Sequence, residues 1–362
     1  MKLPLDLPIT PMLAKASKEL PPGEEGDWWF EPKWDGFRVL VLRDGDEIEL
    51  ASRNGRPLTR YFPEVLDPLR AALPDRAVVD GEIVVPAPSG LDFDLLGQRI
   101  HPAQSRVDML AAQTPSEVVA FDVLALGDES LLDLPFAERR PRLEAAITPG
   151  DQVHLNQGTY DRGIAHDWFI RFEGAGLDGV IGKPVASAYE PGKRGWVKIK
   201  HRRTADVVVA GYRLHKDGEG VGSLLLGLHD DDGRLHSVGV AASFKAADRR
   251  SLLAELAPLV IDPNDPEDFA QHPWSEWMDA AAHADGRMPG SPSRWNGKKD
   301  LSFVPLRCER VAEVSYERVD HGRFRATSTF VRWRPDRDPE SCRYDQLEVV
   351  PPVELTEVLG GS

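Results

Sequence analysis

The chain has 362 residues, of which 41% are hydrophobic, and it carries a formal net charge of −15. This length exceeds one typical domain and fits two, and the ordinary apolar content excludes a chain that is disordered throughout. The N-terminus lacks a basic stretch before an apolar core, and no run approaches the ~20 apolar residues of a membrane span, so we expect neither a secretory signal nor a membrane anchor. The two cysteines, Cys308 and Cys342, lie outside any metal-binding spacing and favour a cytoplasmic protein.

The charge of the chain is unevenly distributed. A uniformly basic surface for nucleic acid is excluded, because phosphate binding depends on Lys and Arg. However, residues 191–205 contain six Lys or Arg and no acid, and a second basic stretch covers residues 318–337. Much of the acid lies elsewhere, notably in residues 262–279. A local basic channel on an acidic body is compatible with DNA.

The first 200 residues mix strand and helix patterns. Residues 38–52 are predicted to form a hairpin, because two strand-like runs flank an Asp-Gly-Asp turn. Apolar residues at helical spacing predict a helix over residues 63–73. Further strands are predicted at 77–85, 118–126, 178–182 and 195–200, and further helices at 93–100, 135–147 and 162–175.

After about residue 203 the pattern changes to short strand-like runs separated by turn sequences, which is typical of a small β-barrel. These runs cover residues 206–212, 222–229, 235–240, 310–317 and 324–330. A helix is predicted at 246–259. Residues 261–294, rich in Pro and Asp, are predicted to be a long surface loop that Trp274 and Trp277 order in part.

The first candidate for chemistry is the sequence Glu-Pro-Lys-Trp-Asp-Gly-Phe-Arg at residues 31–38. Lys-x-Asp-Gly alone could be a surface turn that enters a strand. A lysine nucleophile must lose its proton, and neighbouring cations favour that loss. Lys33 has acids two residues before and two residues after it, and Arg38 follows. We therefore consider Lys33 a candidate covalent nucleophile. Asp35 would either orient the amine of Lys33 or bind a water molecule that is coordinated to a metal ion.

A second candidate is the basic pair Lys198 and Lys200. On a strand, residues two apart point to one face, so both ammonium groups would lie together. Two such cations could neutralise the charge that builds on an α-phosphate during attack at phosphorus. Taken alone, the same sequence could be a basic strand that faces solvent.

Seven short motifs, in order along the chain, resemble those of the covalent nucleotidyltransferases, which comprise ATP-dependent DNA ligases, mRNA capping enzymes and RNA ligases. Each motif alone is weak, and their order gives the resemblance its weight. Two positions differ from the usual pattern, since Asp178 replaces a Glu and Arg337 replaces a Lys. The motifs are Lys-x-Asp-Gly-x-Arg at 33–38, Ser-Arg-Asn-Gly at 52–55, Asp-Gly-Glu at 80–82, Phe-Asp-Val-Leu at 121–124, Asp-Gly-Val-Ile-Gly-Lys at 178–183, Trp-Val-Lys-Ile-Lys at 196–200 and Arg-Pro-Asp-Arg at 334–337.

The resemblance implies individual roles. Glu31 would accept a hydrogen bond from the adenine amino group, and Phe121 would offer its ring to the purine. Glu82 would bind the ribose, and Arg53 would contact the 5′ phosphate of a nick. Without the resemblance, Phe121 would be a core residue, and Glu82 and Arg53 would be surface groups. The residues implied to bind the nucleotide are Glu31, Lys33, Arg38, Arg53, Glu82, Phe121, Lys183, Lys198 and Lys200.

The resemblance also implies a catalytic set and a metal site. Asp178 and Glu82 would hold Mg²⁺ or Mn²⁺. The last motif would act only in the first step, by orienting the pyrophosphate that leaves ATP. The implied catalytic residues are Lys33, Asp35, Arg38, Lys198, Lys200, Arg334, Asp336 and Arg337.

The implied protein is an ATP-dependent DNA ligase, similar in particular to the short actinobacterial ligases of the C type. Residues 11–14, 295–303 and 332–335 carry that finer likeness. We expect an α+β adenylation domain with antiparallel sheets over residues 1–203, an all-β OB-fold barrel over 204–350, and a C-terminal tail over 351–362. We expect a monomer that seals 3′-OH/5′-phosphate nicks in duplex DNA during repair, through lysyl-AMP and an adenylylated DNA end. Its partners would be nicked duplex DNA and a repair polymerase or end-joining proteins.

Other classes remain open at this stage. An RNA ligase or capping-type enzyme belongs to the same superfamily, although capping enzymes use GTP, and RNA ligases usually show less of the arginine of the first motif and lack the C-terminal barrel. An NAD-dependent ligase is excluded, because it needs a Cys-rich zinc module. A non-enzymatic DNA-binding scaffold would bind DNA without any ATP-dependent modification of a lysine.

Overall fold

The computed structural model describes residues 1–88, 90–262, 265–275 and 302–359. The chain divides into two compact units, one formed by Met1–Lys200 with Val350–Ser362, and the other by His201–Val349. The sequence pattern predicts a division after residue 203 and a separate tail over residues 351–362. In the structure the division falls after Lys200, and the C-terminal residues group with the first unit.

The first unit contains two main sheets. Its strands are β1 (Ala14–Ser17), β2 (Trp28–Lys33), β3 (Phe37–Asp44), β4 (Glu47–Ser52), β5 (Arg76–Val84), β6 (Pro86–Ala87), β7 (Gly90–Leu91), β8 (Glu117–Leu126), β9 (Glu129–Ser130), β10 (Val153–Leu155), β11 (Gly179–Pro184) and β12 (Trp196–Lys200). Its helices up to residue 200 are α1 (Leu66–Ala72), α2 (Phe93–Gln98), α3 (Gln104–Gln113), α4 (Phe136–Ala146) and α5 (Arg162–Arg171), with 3-10 turns at Thr59–Tyr61, Pro63–Val65 and Phe172–Ala175.

The strand order of the first sheet is β1-β12-β11-β2, and that of the second is β10-β8-β5-β3-β4, with β9 beside β8. Most neighbouring strands are antiparallel, as predicted, and one edge strand of each sheet, β1 and β10, is parallel to its neighbour. A cluster of buried aliphatic and aromatic side chains, including Val39, Leu50 and Phe62, packs on the second sheet. The two sheets together provide the frame for the candidate site.

The predicted hairpin at 38–52 is confirmed by β3 and β4, but β2 was not predicted. Pro32 obscured this strand, because proline cannot donate to a sheet ladder and usually argues against a strand. In the structure β2 is the edge strand of its sheet, where Pro32 lies opposite Val180. An edge strand tolerates a proline whose nitrogen faces away from the neighbouring strand.

The second unit is mostly β-structure. Its strands are β13 (Arg203–Leu214), β14 (Val221–His229), β15 (Leu235–Ala242), β16 (Val304–Pro305), β17 (Val311–Tyr316), β18 (Val319–Asp320), β19 (Arg323–Phe324) and β20 (Ser328–Trp333). Its helices are α6 (Ala246–Leu256) and α7 (Pro266–Phe269), with 3-10 turns at Ala257–Leu259, Pro339–Ser341 and Tyr344–Gln346. The pairings run from β13 through β14, β15, β20 and β17 and return to β13. This five-strand circuit, with α6 between β15 and β17 in the chain, is the arrangement of an OB-like domain, which confirms the predicted fold class.

One prediction in the second unit is wrong, and another is confirmed in part. The strand predicted at 324–330 is wrong, because a bend after Phe324 separates the short β19 from β20. The predicted ordering of the loop 261–294 by Trp274 is confirmed, since Trp274 is fully buried and its Nε1 donates a hydrogen bond 2.9 Å long to the carbonyl of Leu235. Trp277 and residues 295–301 lie outside the described residues.

The C-terminal residues pack on the first unit through a short helix, α8 (Leu355–Val358). Val358 is fully buried in a cluster that includes Trp34 and Phe172. Gln157 Nε2 donates a hydrogen bond of 2.6 Å to the carbonyl of Val358. Within the described part of the chain, no helix combines the length and apolar character that a bilayer crossing requires.

Candidate active site

A cleft of about 430 Å³ lies in the first unit and is lined by residues from both main sheets. Its volume falls within the range of pockets that bind small molecules. Every residue that the sequence implied for nucleotide binding lines this cleft. They are Glu31, Lys33, Arg38, Arg53, Glu82, Phe121, Lys183, Lys198 and Lys200.

The strand register explains why these distant residues meet. Residues that lie opposite each other on neighbouring strands point to the same face of a sheet. Glu31 lies opposite Ile181, which in turn lies opposite Lys198. At a distance of two residues along the strands, Gly179 lies opposite Lys33 on one neighbouring strand and opposite Lys200 on the other. The period of two along each strand therefore collects these basic and acidic groups on one face.

Two glycines beside predicted site residues permit close approach of the backbone. A Cβ on Gly36 would lie 2.1 Å from the carbonyl oxygen of Ile83. Gly179 has φ of 133°, and a Cβ there would lie 2.1 Å from the carbonyl oxygen of Ile199. A side chain at either position would displace a neighbouring strand, which gives a physical reason for glycine after Asp35 and after Asp178.

Lys33 and Lys200 share one carboxylate. Asp178 Oδ2 lies 2.6 Å from Lys33 Nζ and 2.8 Å from Lys200 Nζ. Burial raises the pKa of Asp178, but the two ammonium groups outweigh burial and hold that pKa below its usual range. The side chain of Lys33 is 20% exposed, and it lines the cleft.

Arg38 is held by an acid to which the sequence analysis gave no role. Its Nε and Nη2 donate to the two carboxylate oxygens of Asp80 at 2.7 and 2.6 Å, and Nη2 also donates to the carbonyl of Met12 at 2.9 Å. Tyr189 donates to the fully buried Asp80 at 2.6 Å. Burial alone would lower the pKa of Arg38, but Asp80 outweighs burial and raises it. The guanidinium is therefore a fixed positive charge in the wall of the cleft.

Glu31 is a buried carboxylate surrounded by donors. Lys183 Nζ lies 2.8 Å from Glu31 Oε2, and Trp29 Nε1 donates to Oε1 at 2.9 Å. Lys183 also donates to the carbonyl of Phe121 at 2.6 Å. Burial lowers the pKa of Lys183, although Glu31 opposes this change. Lys183 thus fixes Glu31 and the strand that carries Phe121 in one place.

Phe121 enters the cleft because β8 contains a bulge. Asp80 lies opposite Asp122 while Gly81 lies opposite Ala120, so Phe121 is the extra residue. Bulges redirect side chains and are frequent beside active sites. The ring of Phe121 packs edge-on against Trp196 at a centroid distance of 6.1 Å and lies 5.1 Å from the Arg38 guanidinium carbon.

The two carboxylates implied to bind metal have different surroundings. Burial raises the pKa of Glu82 to about 7, against the attraction of Lys33 and Arg38, and the charge of Asp35 raises it further. Its Oε1 accepts a hydrogen bond of 3.2 Å from the backbone of Gly36. Across the described residues, no group of three or more His, Cys, Asp or Glu is arranged to hold a metal ion.

The last predicted catalytic residues form a separate group in the second unit. Arg334 Nη1 donates to both carboxylate oxygens of Asp206 at 2.9 Å, and Nη2 donates to Asp336 at 2.7 Å. Arg337 Nε lies 3.3 Å from Asp206. A hydrogen bond from Arg334 lowers the pKa of Asp336 to about 2. Arg332 likewise forms an ion pair with Glu313. The charge of the second basic stretch is therefore partly neutralised by acids of its own unit.

Several residues that hold the predicted site residues in place were not predicted from the sequence. Asp80 stood inside a quoted motif, so its charge and its spacing from Glu82 could have identified it. Asn156, which lines the cleft, and Asp206, which binds two arginines, lie outside every motif. Their contacts join positions 122 and 128 residues apart, and no local pattern in one sequence indicates such pairs.

Comparison with known families agrees with this geometry. A family profile described as "ATP dependent DNA ligase domain" matches residues 11–200, and one described as "ATP dependent DNA ligase C terminal region" matches residues 217–337. The chain belongs to the ATP-dependent DNA ligases.

Within that family the chain is similar to the mycobacterial ligases of the C type. It is 54% identical to DNA ligase C of Mycobacterium tuberculosis, over 100% of this chain and 99% of the relative, and 54% identical to DNA ligase C2 of Mycolicibacterium smegmatis, over 97% of each. A solved structure described as a minimal-scaffold Lig E DNA ligase has 16% identity and a TM-score of 0.54, and covers 90% of this chain and 99% of that chain. The structural likeness supports the fold.

Proposed function

We propose that this enzyme seals nicks in duplex DNA through a lysyl-AMP intermediate on Lys33. The observation that carries the proposal is the position of the Lys33 amine, 2.6 Å from Asp178 in a cleft that Lys198, Lys200 and Arg53 also line. A cation-lined cleft suits a triphosphate, because phosphoryl transfer depends mainly on positioning and charge neutralisation.

In the first step, the deprotonated Nζ of Lys33 attacks the α-phosphorus of ATP. A phosphorus–nitrogen bond forms, and the bond to pyrophosphate breaks. Lys198 and Lys200 would neutralise the oxygens of the α-phosphate, and Asp178 would hold the amine until the nucleotide enters. Arg334, Asp336 and Arg337 would orient the leaving pyrophosphate. Phe121 would pack on adenine, Glu31 would accept from its amino group, and Glu82 would bind the ribose.

A divalent metal, Mg²⁺ or Mn²⁺, is part of the proposal. The carboxylates of Asp178 and Glu82 are oxygen ligands of the type that Mg²⁺ prefers, and such sites are commonly completed by substrate phosphates rather than by further side chains. When bound, the metal would neutralise phosphate charge. Asp35 lies close enough to Glu82 to raise its pKa and would orient the amine or a metal-bound water.

The second and third steps would transfer AMP and close the nick. A 5′ phosphate oxygen attacks the phosphorus of lysyl-AMP, the phosphorus–nitrogen bond breaks, and an adenylylated DNA end forms. The 3′ hydroxyl then attacks the DNA phosphate and releases AMP. Arg53, which is exposed at the cleft, would contact the 5′ phosphate. The OB-like unit and the basic stretches would bind duplex DNA mainly through phosphates.

We also propose a repair role with polymerase or end-joining partners. A multifunctional non-homologous end joining protein of Mycolicibacterium smegmatis is 32% identical over 88% of this chain, which matches 37% of that protein. This likeness supports an end-joining context. We further propose that the enzyme is a monomer and acts in the cytoplasm.

The decisive experiment incubates the pure protein with α-labelled ATP and follows the label. We expect a covalent protein adduct, its transfer to the 5′ end of a nicked duplex, and a sealed strand. GTP in place of ATP, and nicked RNA in place of DNA, should give little product. Efficient labelling with GTP or preferential sealing of RNA would support a capping-type enzyme or an RNA ligase, and DNA binding without an adduct would support a scaffold.

A further inference from the structure

Asn156 follows strand β10 and has a fixed backbone at the edge of the cleft. Its backbone N–H donates to the carbonyl of Ala120 at 2.8 Å, and its own carbonyl accepts from Arg140 Nη2 at 2.7 Å. The residue is only 1% exposed, yet its side chain contributes to the cleft wall. A buried polar side chain at such a place needs hydrogen-bond partners.

The side-chain amide of Asn156 contacts the chain on both sides of Lys33. Its Oδ1 accepts a hydrogen bond of 2.8 Å from Trp34 Nε1, and its Nδ2 donates to the carbonyl of Pro32 at 3.2 Å. Nδ2 also lies 3.4 Å from Glu31 Oε2 as a longer hydrogen bond. Three of the four residues from Glu31 to Trp34 are therefore tied to one amide group, and the fourth is Lys33.

The chemistry of the partners fixes the orientation of this amide. An indole N–H can only donate, so the oxygen of Asn156 must face Trp34. The amide nitrogen then faces two acceptors, the Pro32 carbonyl and the Glu31 carboxylate. An aspartate would keep the acceptor for Trp34 but lose both donors, and a leucine of similar size would lose all three hydrogen bonds.

We propose that Asn156 is a positioning residue that fixes the Lys33 amine, the nucleophile, relative to the Glu31 carboxylate, which would bind adenine. By fixing Pro32 and Trp34 it restrains the backbone of Lys33, and by contacting Glu31 it links that restraint to recognition of the adenine amino group. This inference rests on the proposed function, since it concerns the lysyl-AMP step. Asn156 acts through Lys33 and Glu31, and it forms no bond to the nucleotide.

The test compares Asn156→Leu and Asn156→Asp with the unchanged protein. The first assay measures the rate constant and the KM for lysyl-AMP formation from ATP. The second measures the same constants with purine riboside triphosphate, which lacks the 6-amino group. The third measures the ATP-independent sealing of pre-adenylylated nicks. Gln152→Leu is the matched control, because Gln152 also donates one amide hydrogen bond, to the carbonyl of Ser116, away from the cleft.

For Asn156→Leu we expect the rate constant of lysyl-AMP formation to fall on the order of 100-fold, since a small displacement of a nucleophile has effects of that size. The KM should rise more for ATP than for the analogue, because only ATP has the amino group that Glu31 accepts. Asn156→Asp keeps the shape and the Trp34 contact but places a carboxylate beside Glu31 and the Pro32 carbonyl, so we expect the same selective rise in KM and a loss in rate at least as large. Sealing of pre-adenylylated nicks should stay within about twofold of the unchanged protein, as should all activities of Gln152→Leu.

Equal losses in lysyl-AMP formation and in pre-adenylylated sealing would overturn the inference, because a packing defect would affect both. An equal rise in KM for ATP and for the analogue in Asn156→Asp would also overturn it. Should Asn156→Leu fail to fold, Asn156→Asp alone decides between these outcomes. If the unchanged protein itself formed no lysyl-AMP, the proposed function would fail instead, and the two failures are thus distinguishable.

Discussion

The two units each contain a compact charged group, and the two groups have opposite compositions. In the first unit one carboxylate, Asp178, lies between the amines of Lys33 and Lys200. In the second unit one guanidinium, that of Arg334, lies between the carboxylates of Asp206 and Asp336. A lysine can lose its proton and become a nucleophile, whereas an arginine stays charged and makes planar, paired contacts. In the proposed mechanism, bond formation would therefore belong to the first group, and the second group would only bind charge.

The largest expected effect tests this division directly. Lys33→Ala should leave the fold intact and reduce lysyl-AMP formation by a factor on the order of 10³ or more, because no other group in the proposal replaces the nucleophile. Mass spectrometry of the protein after incubation with ATP measures the adduct. Lys193→Ala is the control, since Lys193 is a highly exposed cation of the same basic stretch and should retain the adduct. An adduct that survives in Lys33→Ala would remove the basis of the comparison.

The next effect tests whether the second group binds charge only. Arg337→Ala should slow lysyl-AMP formation about 100-fold, a size typical for the loss of one stabilising donor, while sealing of pre-adenylylated nicks is spared. Arg337→Lys should recover part of the rate, because a point charge remains. Rates are measured with labelled ATP in one assay and with pre-adenylylated DNA in the other. Equal loss in both assays would contradict a role restricted to pyrophosphate.

A smaller effect concerns stability of the second unit. Asp206→Asn would leave Arg334 and Arg337 without their shared, mostly buried carboxylate. We expect the free energy of unfolding of this unit to fall by about 1–3 kcal/mol, measured by urea denaturation. Glu313→Gln should cost less than about 1 kcal/mol, because its partner Arg332 is well exposed. Similar losses of unfolding free energy in the two variants would show that the ion pairs of Asp206 stabilise the unit no more than that of Glu313 does.

The smallest effect sharpens the comparison through pH. The pKa of Glu82 is raised from 4.5 to about 7, so the folded protein binds its proton more tightly than the unfolded chain does. The stabilisation from this proton is complete below pH 4.5 and is lost as pH rises to about 7. Glu82→Gln should therefore gain stability relative to the unchanged protein as the pH rises from 5 to 8.

The pKa of Asp336 is shifted in the opposite direction, so Asp336 is a suitable reference for the pH dependence of Glu82. Its pKa is lowered to about 2, so its contribution is constant across the same pH range. Thermal unfolding of Glu82→Gln and Asp336→Asn at pH 5, 6, 7 and 8 provides the measurement. A stability difference for Glu82→Gln that does not change with pH would show that Glu82 titrates outside this window.

Most of the cleft residues were expected from the resemblance to the covalent nucleotidyltransferases, and strand periodicity accounts for one pair of them. Lys198 and Lys200 were placed on one face by alternation alone, and β12 confirms that strand. Alternation could not indicate that Asp178 would accept hydrogen bonds from both Lys33 and Lys200, because strand partners are not encoded locally. The bulge at Phe121 was equally invisible, since an extra residue in a strand has no signal in a continuous apolar run. The residues of the cleft were therefore predictable from motifs and side-chain types, and the partners that hold them in place were not.

The C-terminal helix α8 has a practical consequence for dissecting the enzyme. Because residues 350–359 belong to the first unit, an expression clone that stops at Lys200 would leave the hydrophobic cluster around Trp34 and Phe172 without Val358. Low activity of such a fragment would then report a damaged catalytic half rather than the missing OB-like unit. A fairer fragment replaces residues 201–349 by a flexible Gly/Ser linker, which keeps both segments of the first unit in one polypeptide.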